Sequence, residues 1–594
     1  MPDLPPEARA EVPDPRFPVD RRRAMAIGGV GVAALVTSDV SHAAPPWDQL
    51  AARLGPRLRG VASPLETCVA AHGAGAEALF GQTLKNPFAI TDDPGLTQTL
   101  LWQDAWKTAS PLRAVRAQSA ADIAAAVDFA RRNRVPLVTR GGGHSYFGNS
   151  NRAEALMVWT QGLQDVTQHD AFVPHGAPAG TVAETAVSLG AGCLWGEVYR
   201  QTMAGSGAGT GRYVQGGGCL TVGVAGFTLG GGFGSFSKGF GTGAANLLEA
   251  EVVTADGRVR VVNAWNDPEL FFGLRGGGGG TFAIATRLTM RTHPLPATVG
   301  AMLFEVTAKD DAAWRELVGA AIDHYATHLF NPAWGETIRF TPRRTLTVSM
   351  LFQGRTEAEA RADWAPLLAW IRQRPERLTL AAEPHVIAAP GRAFFDPEVL
   401  RRVPGVVLPD DRPGADPARV FWATNREEAG QQIYAYKSRW LPQALLAPAQ
   451  RARLADAIVL AASHWPFALH FNKGMAGGDP AAIARTAQTA MNPQVLDAFA
   501  LAIVAATDEP AWPGIPGHEP DRTEGHHQAA RVAAAYHALA RIAPGWGSYV
   551  SESDWHARDW QRDHWGRNTP RLLAAKRRYD PAGLFTGHHC VGES

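Results

Sequence analysis

Three consecutive glycines placed directly after a β-branched run constrain this chain of 594 residues more than any other feature. Val135–Thr139 reads as a strand reached through an amphipathic helix, and Arg140-Gly141-Gly142-Gly143-His144-Ser145-Tyr146 follows it. Residues without a Cβ let the backbone turn tightly and bring bare N–H groups close to a ligand. A pyrophosphate needs several converging donors and no side chains in the way, so such a loop suits it. His144 adds an imidazole at the mouth of the same loop. On this stretch alone, a glycine-rich turn beside an incidental histidine fits as well.

A second stretch narrows the choice. Gln215-Gly216-Gly217-Gly218-Cys219-Leu220-Thr221-Val222-Gly223-Val224-Ala225-Gly226 runs on to Gly230-Gly231-Gly232-Phe233-Gly234. Glycine, at 62 residues, exceeds the usual share of about 7%. The excess sits at 141–143, 216–243 and 276–280, which points to a ligand-cradling backbone and not to low complexity. Two more segments follow: Pro268-Glu269-Leu270-Phe271 with Leu274-Arg275-Gly276-Gly277-Gly278-Gly279-Gly280-Thr281-Phe282, and Tyr579-Asp580-Pro581-Ala582-Gly583-Leu584-Phe585. In this order the four segments resemble the vanillyl-alcohol oxidase superfamily, specifically its berberine bridge enzyme-like branch. That branch carries an R-x-G-G-H-S-Y loop and a C-x-T-V-G-x-x-G-x-x-x-G-G-G-x-G segment. The resemblance covers roughly residues 100–295 and 540–594 well, and the middle only loosely.

The resemblance implies an α+β fold: a two-part FAD-binding domain of the PCMH type, plus an α/β substrate domain with an antiparallel sheet. On this basis residues 45–108 form a helical lead-in, 109–295 the FAD-binding domain, 296–544 the substrate domain, and 545–594 a return to the FAD domain. It further implies FAD attached covalently, through His144 to the 8-methyl carbon and through Cys219 to carbon 6 of the ring. Such substituents withdraw electron density and raise the flavin potential. Arg140, Gly141, Gly142, Gly143 and Ser145 are expected at the pyrophosphate, with Tyr146 and Gly148 nearby. Gly217, Gly218, Gly223, Val224 and Gly226 are expected at the ring. Val222 matches the position that in plant relatives governs oxygen access to the reduced flavin.

Where this chain departs from the pattern, roles shift. Leu220 replaces a frequent proline, and Ala245 stands before Asn246 where the family has a carboxylate. Tyr549-Val550-Ser551-Glu552-Ser553-Asp554 resembles the Y-x-N-Y-x-D segment beside the flavin, but Glu552 holds the place of the usual catalytic tyrosine. Oxidising an alcohol requires a group to take the hydroxyl proton. Glu552 is therefore the expected base and Tyr549 the next candidate, with His470, Asn472 and Lys473 as possible substrate-orienting groups. An exposed carboxylate, a core tyrosine and a solvated strand face remain the plain alternatives.

Local patterns fill in the elements. Leu50, Leu54 and Leu58 recur at helical spacing. Ala114–Ala117 reads as a strand, Ser119-Ala120-Ala121-Asp122 as a helix-capping sequence, and the helix should run to about Asn133. Ala155–Trp159, Glu184–Gly190 and Phe282–Arg291 read as strands, and Glu249–Thr254 with Val259–Val262 as a hairpin across Ala255-Asp256-Gly257-Arg258. Beyond Pro296, Ala312–Leu329 is a helix, Arg344–Phe352 and Phe467–Phe471 are strands, and Pro570–Tyr579 is a basic helix.

Lys+Arg 57 against Asp+Glu 56 leaves no electrostatic footprint for nucleic acid. Arg21-Arg22-Arg23, the short apolar run Ala24–Val36 and the small-x-Ala site Ser41-His42-Ala43 resemble a twin-arginine export signal spanning residues 1–44. The run is shorter than the roughly 20 residues needed to span a bilayer, so no stable membrane anchor is expected after its removal, and the mature chain would be periplasmic or secreted. Cys68, Cys193, Cys219 and Cys590 match no metal or disulfide framework. His588-His589-Cys590 has metal-ligand composition, but three adjacent residues do not easily face one ion, and no metal is expected.

The expectation is thus a FAD-dependent oxidase that takes a hydride from an alcohol-type small molecule, carbohydrate or aromatic, and reduces dioxygen to hydrogen peroxide. A dehydrogenase of the same fold using a quinone or cytochrome, and a non-catalytic exported binding protein, are the alternatives.

Overall fold

A computed structural model describes residues 45–204, 211–394 and 396–593; the expected export signal lies outside them. Among the described residues three large sheets organise the chain. The first is four-stranded, in the order Leu58–Gly60, Arg113–Arg116, Leu156–Trp159, Leu137–Arg140. Its last three strands are parallel. Parallel neighbours need a crossover, and the helix Ala120–Asn133 supplies it. Ser119 caps that helix, its hydroxyl accepting the Asp122 amide at 3.3 Å. Arg134, at φ 54°, ends it in the left-handed region. Ile123, Val127 and Ala130 bury one face against Val115, Leu137, Leu156 and Val158. Strand and crossover together aim the chain into the glycine triplet.

The second sheet is antiparallel, ordered Val259–Asn263, Leu247–Thr254, Ala283–Pro294, Glu184–Gly190, Val166–Phe172. The strand Ala283–Pro294 runs past Arg291, because Thr292, His293 and Pro294 pair with Val214, Tyr213 and Arg212. Proline closes the strand, where its missing N–H leaves no ladder bond unmade.

The third sheet has ten strands and is antiparallel through Thr298–Ala308, Thr345–Gln353, Trp334–Phe340, Phe467–His470, Ala498–Asp508 and Gln431–Pro442. Helices Asp311–His324, Glu357–Arg372, Pro448–His464 and Arg522–Ala540 roof it. Trp314, Leu317, Trp364, Ile458 and Val532 fill the core beneath them.

The lead-in differs from a purely helical reading. Its first helix, Trp47–Leu54, stops at Gly55 (φ 55°) and Pro56, so Leu50 and Leu54 are buried on a helix while Leu58 starts a strand of the first sheet. Farther on, Thr99–Trp102 adds a parallel strand beside Gln431–Pro442 in the third sheet. The lead-in therefore bridges the flavin-type half and the roofed sheet, and does not merely cover one of them.

The C-terminal helix Thr569–Tyr579 is tied to the chain entering the second sheet through Lys576, which also forms a buried ion pair with Asp580. The Lys576 ammonium donates to Thr281 O (2.7 Å), Asp580 Oδ2 (2.6 Å) and Phe585 O (2.5 Å). Asp580 in turn accepts the Leu584 and Phe585 amides at 2.7 and 2.9 Å. A buried pair is tolerated when its remaining donors and acceptors are satisfied, as they are here. This explains the Asp580-Pro581-x-x-Leu584-Phe585 sequence as a staple.

Candidate active site

The glycine loop leaves the first sheet and presses against the second glycine segment. A Cβ on Gly142 would stand 2.8 Å from the Gly223 amide nitrogen, and one on Gly223 would stand 2.7 Å from the Gly142 nitrogen. Only glycine permits this approach, so the two motifs form one surface. Thr91 Oγ1 donates to Gly142 O at 3.3 Å and the Gln98 amide to Gly143 O at 3.1 Å, both from the lead-in. Ser145 Oγ accepts the Asn149 amide at 3.2 Å. Gly148, at φ 75°, lies on the Trp106 ring, whose Nε1 donates to Tyr146 O at 3.2 Å.

Arg140 is fully buried beneath this loop and donates one Nη2 hydrogen bond, to Ile90 O at 2.7 Å. Its Nε and Nη1 have no partner among the described residues. Burial lowers the guanidinium to about 10, and Asp93 and Asp92 counter that. Orphaned cationic donors under a glycine surface fit an anionic group such as a diphosphate, because leaving them unpaired is costly.

His144 and Cys219 reach the same place from the two motifs. Both line one small cavity with Pro87, Gln98, Tyr146, Thr221, Asn425, Glu428, Ala429 and Gln431. Thr221 Oγ1 stands 3.3 Å from His144 Nε2 and 3.5 Å from Cys219 Sγ, and Cys219 Sγ donates to Asn425 Oδ1 at 3.3 Å. Burial pushes the His144 imidazole down to about 4 and the Cys219 thiol up to about 11. Both are therefore neutral near pH 7, and the imidazole keeps a lone pair. Cys68, Cys193 and Cys590 are buried free thiols.

The remaining expected ring-side residues sit along the second motif. Gly217 O accepts the Tyr199 hydroxyl at 2.8 Å, and Gly218 O accepts Trp422 Nε1 at 2.7 Å. Val222 O accepts the Trp195 amide at 3.1 Å. Gly223 precedes the short helix Val224–Leu229, and Gly226 lies 3.4 Å from a Cβ position on Gly279.

A cluster of ionisable side chains lies over this surface. Glu552 forms a close ion pair with Lys473, and Asn472 Nδ2 donates to Glu336 Oε1 and Gly234 O, both at 3.2 Å. Burial raises Glu336 and Glu428 above the usual carboxylate range. Burial likewise raises the Tyr146 and Tyr436 phenols, whose rings stand 5.1 Å apart, and Glu552 and Glu428 push both further. Tyr549 is buried, its ring at 5.0 Å edge-on to Phe233 and its hydroxyl accepting the Gly232 amide at 3.2 Å. His470 ends the strand beside Thr337 and Leu501, and burial holds its imidazole well below its ordinary value.

Sequence reasoning missed Glu336, Glu428, Tyr436 and Asn425. Glu336 left a trace: in Trp334–Phe340 it occupies the apolar phase shared by Trp334, Ile338 and Phe340. Its φ of 67° breaks the alternation there and lets the carboxylate reach Asn472. The others belong to segments whose proximity arises only from the tertiary fold.

Residues 111–263 match the model of the FAD-binding domain, and residues 548–592 match berberine and berberine-like proteins. A protein of Arthroderma benhamiae, named an uncharacterized FAD-linked oxidoreductase, is 28% identical over 507 residues, 81% of this chain and 77% of the relative. The VAO-type flavoprotein MtVAO615 of Myceliophthora thermophila shares the fold with a TM-score of 0.73 at 23% identity, over 92% of this chain and 94% of the other. The glucooligosaccharide oxidase of Acremonium strictum, described with a 6-S-cysteinyl, 8α-N1-histidyl FAD, aligns with a TM-score of 0.60 at 19% identity, over 81% and 91% of the chains. Fold and matched segments define the class: an FAD-binding protein with the fold of vanillyl-alcohol oxidase-type flavoproteins. Within it, this chain is an FAD-linked oxidoreductase with a berberine-like C-terminal segment.

Proposed function

We propose that the chain is an exported oxidase of alcohols, carbohydrate or aromatic, that holds FAD through both His144 and Cys219. The observation behind this reading is the pair itself: two side chains from separate glycine motifs line one cavity, with Thr221 in reach of both. The fungal glucooligosaccharide oxidase is described with the same kind of histidyl and cysteinyl attachment. When bound, flavin accepts a hydride from the substrate and passes the electrons to an acceptor.

This chain's own groups supply the rest. Glu552 takes the hydroxyl proton of the alcohol, and Lys473, ion-paired with it, holds the carboxylate in position. Tyr549, engaged at the Gly232 amide, is the second candidate for that proton. The alcohol loses a hydride and a proton and becomes a carbonyl. Dioxygen gains two electrons and two protons and becomes hydrogen peroxide.

The acceptor is tested without knowing the substrate. Flavin-loaded protein is reduced with dithionite under argon and mixed rapidly with air-saturated buffer. Fast return of the oxidised spectrum with one peroxide per flavin is expected. Reoxidation by a quinone but not by air would replace the oxidase reading with a dehydrogenase of the same fold.

A further inference from the structure

A second cavity, of about 540 Å³, is separate from the one lined by His144 and Cys219. It opens where the end of helix Ala120–Asn133, the turn after Leu247–Thr254 and the C-terminal loop meet. Its size falls within the range of small-molecule pockets, roughly 300–1,000 Å³.

Five arginines from four separate segments line it: Arg131, Arg134, Arg152, Arg260 and Arg578. Arg131 is paired with Asp128 at 3.1 Å, and Arg260 with Asp256 at 3.0 Å and Asp267 at 3.4 Å. Arg134, Arg152 and Arg578 have no carboxylate partner among the described residues; Arg152 donates only to Thr586 Oγ1, at 3.1 Å. Asp256 is the one carboxylate in the lining, so positive charge is in excess. The floor is apolar, from Val135, Ala255 and Leu584. Tyr579 adds a ring with the Arg578 and Arg260 guanidiniums 5.1 and 6.0 Å from its centre. Its hydroxyl donates to Asp267 Oδ1 at 3.0 Å, and the Lys576–Asp580 staple fixes the adjoining loop.

We propose that this cleft binds an organic phosphate: a phosphate monoester carried on a flat, apolar body. Three guanidiniums without a carboxylate partner match a dianion with several acceptor oxygens, and arginine forks engage such groups two bonds at a time. The apolar floor with its fixed tyrosine ring offers a face for the body of the ligand. The inference is independent of the electron acceptor and of how the flavin is attached.

Phenyl phosphate and inorganic phosphate, titrated calorimetrically into the flavin-loaded full chain at low salt, test it. Saturable one-to-one binding of phenyl phosphate, tighter than inorganic phosphate, is expected. The double variant Arg134→Ala/Arg578→Ala should weaken it about tenfold or more, since it removes two charge-assisted donors. Both arginines are exposed, so fold and flavin spectrum should be unchanged. Ala582→Trp, which fills the cleft from an exposed position, should abolish binding. No saturable binding at millimolar concentration, equal affinity for the two probes, or undiminished affinity in both variants would overturn the proposal.

Discussion

The glycine cradle and the ionisable cluster above it are built on opposite principles. The cradle is backbone: glycines 142 and 223 in contact, one buried arginine beneath, and lead-in donors closing the edge. The cluster is side chains: Glu336, Lys473 and Glu552 come from three distant segments, and Glu428 and Tyr436 from a fourth, each held by burial and charge. On the proposed function, cofactor retention and chemistry should be separable in this molecule. Substitutions should damage one while sparing the other.

The largest separation should appear at Glu552. Glu552→Gln keeps size and loses the proton acceptor, so turnover should fall about 10²–10⁴-fold while flavin content stays at the parent level. Loss of flavin in this variant would break the division. Next comes the scaffold of the cradle. Lys576→Ala leaves the Asp580 carboxylate buried without its ammonium, and urea denaturation should show a loss of about 3–5 kcal/mol. A loss below about 1 kcal/mol would mean that the staple does not hold the C-terminal segment.

A smaller effect is expected at the glycine contact. Gly142→Ala pushes a methyl into the Gly223 amide and Thr221 carbonyl, costing about 1–3 kcal/mol and lowering the flavin-to-protein absorbance ratio. Full flavin content with reduced turnover would contradict the assignment of this contact to the cofactor.

The smallest effect concerns pH. Burial raises Glu336, so the folded state binds its proton more tightly than the unfolded state does. Stability from that group is full below its ordinary value of 4.5 and is lost as pH rises through the raised value. Glu336→Gln should therefore match the parent in acid and exceed it modestly at neutral pH, as read from melting temperatures across the range. A variant less stable than the parent at pH 7 would show that the carboxylate is held favourably, not at a cost.

The same contrast decides what the sequence disclosed. The cradle was legible because it is local: a strand, a crossover helix capped by Ser119, and glycine runs whose spacing sets backbone geometry. Asp580 was legible only as part of a motif, which its bonds to Lys576 and to the Leu584 and Phe585 amides explain. The cluster was largely hidden, since nothing near Glu428 or Tyr436 along the chain signals the proximity of Glu552. The lead-in misled for a related reason. Leu50, Leu54 and Leu58 keep helical spacing although Gly55 and Pro56 end the helix between them.

Two motifs from separate parts of the chain are proposed to meet on one flavin. Intact and denatured mass, taken with the visible spectrum of acid-precipitated protein, tests it most directly. A polypeptide carrying one FAD through denaturation is expected. His144→Ala and Cys219→Ala should each retain it by the remaining link, and the double variant should lose it. Yellow supernatant over a bare polypeptide from the parent protein would contradict both attachments.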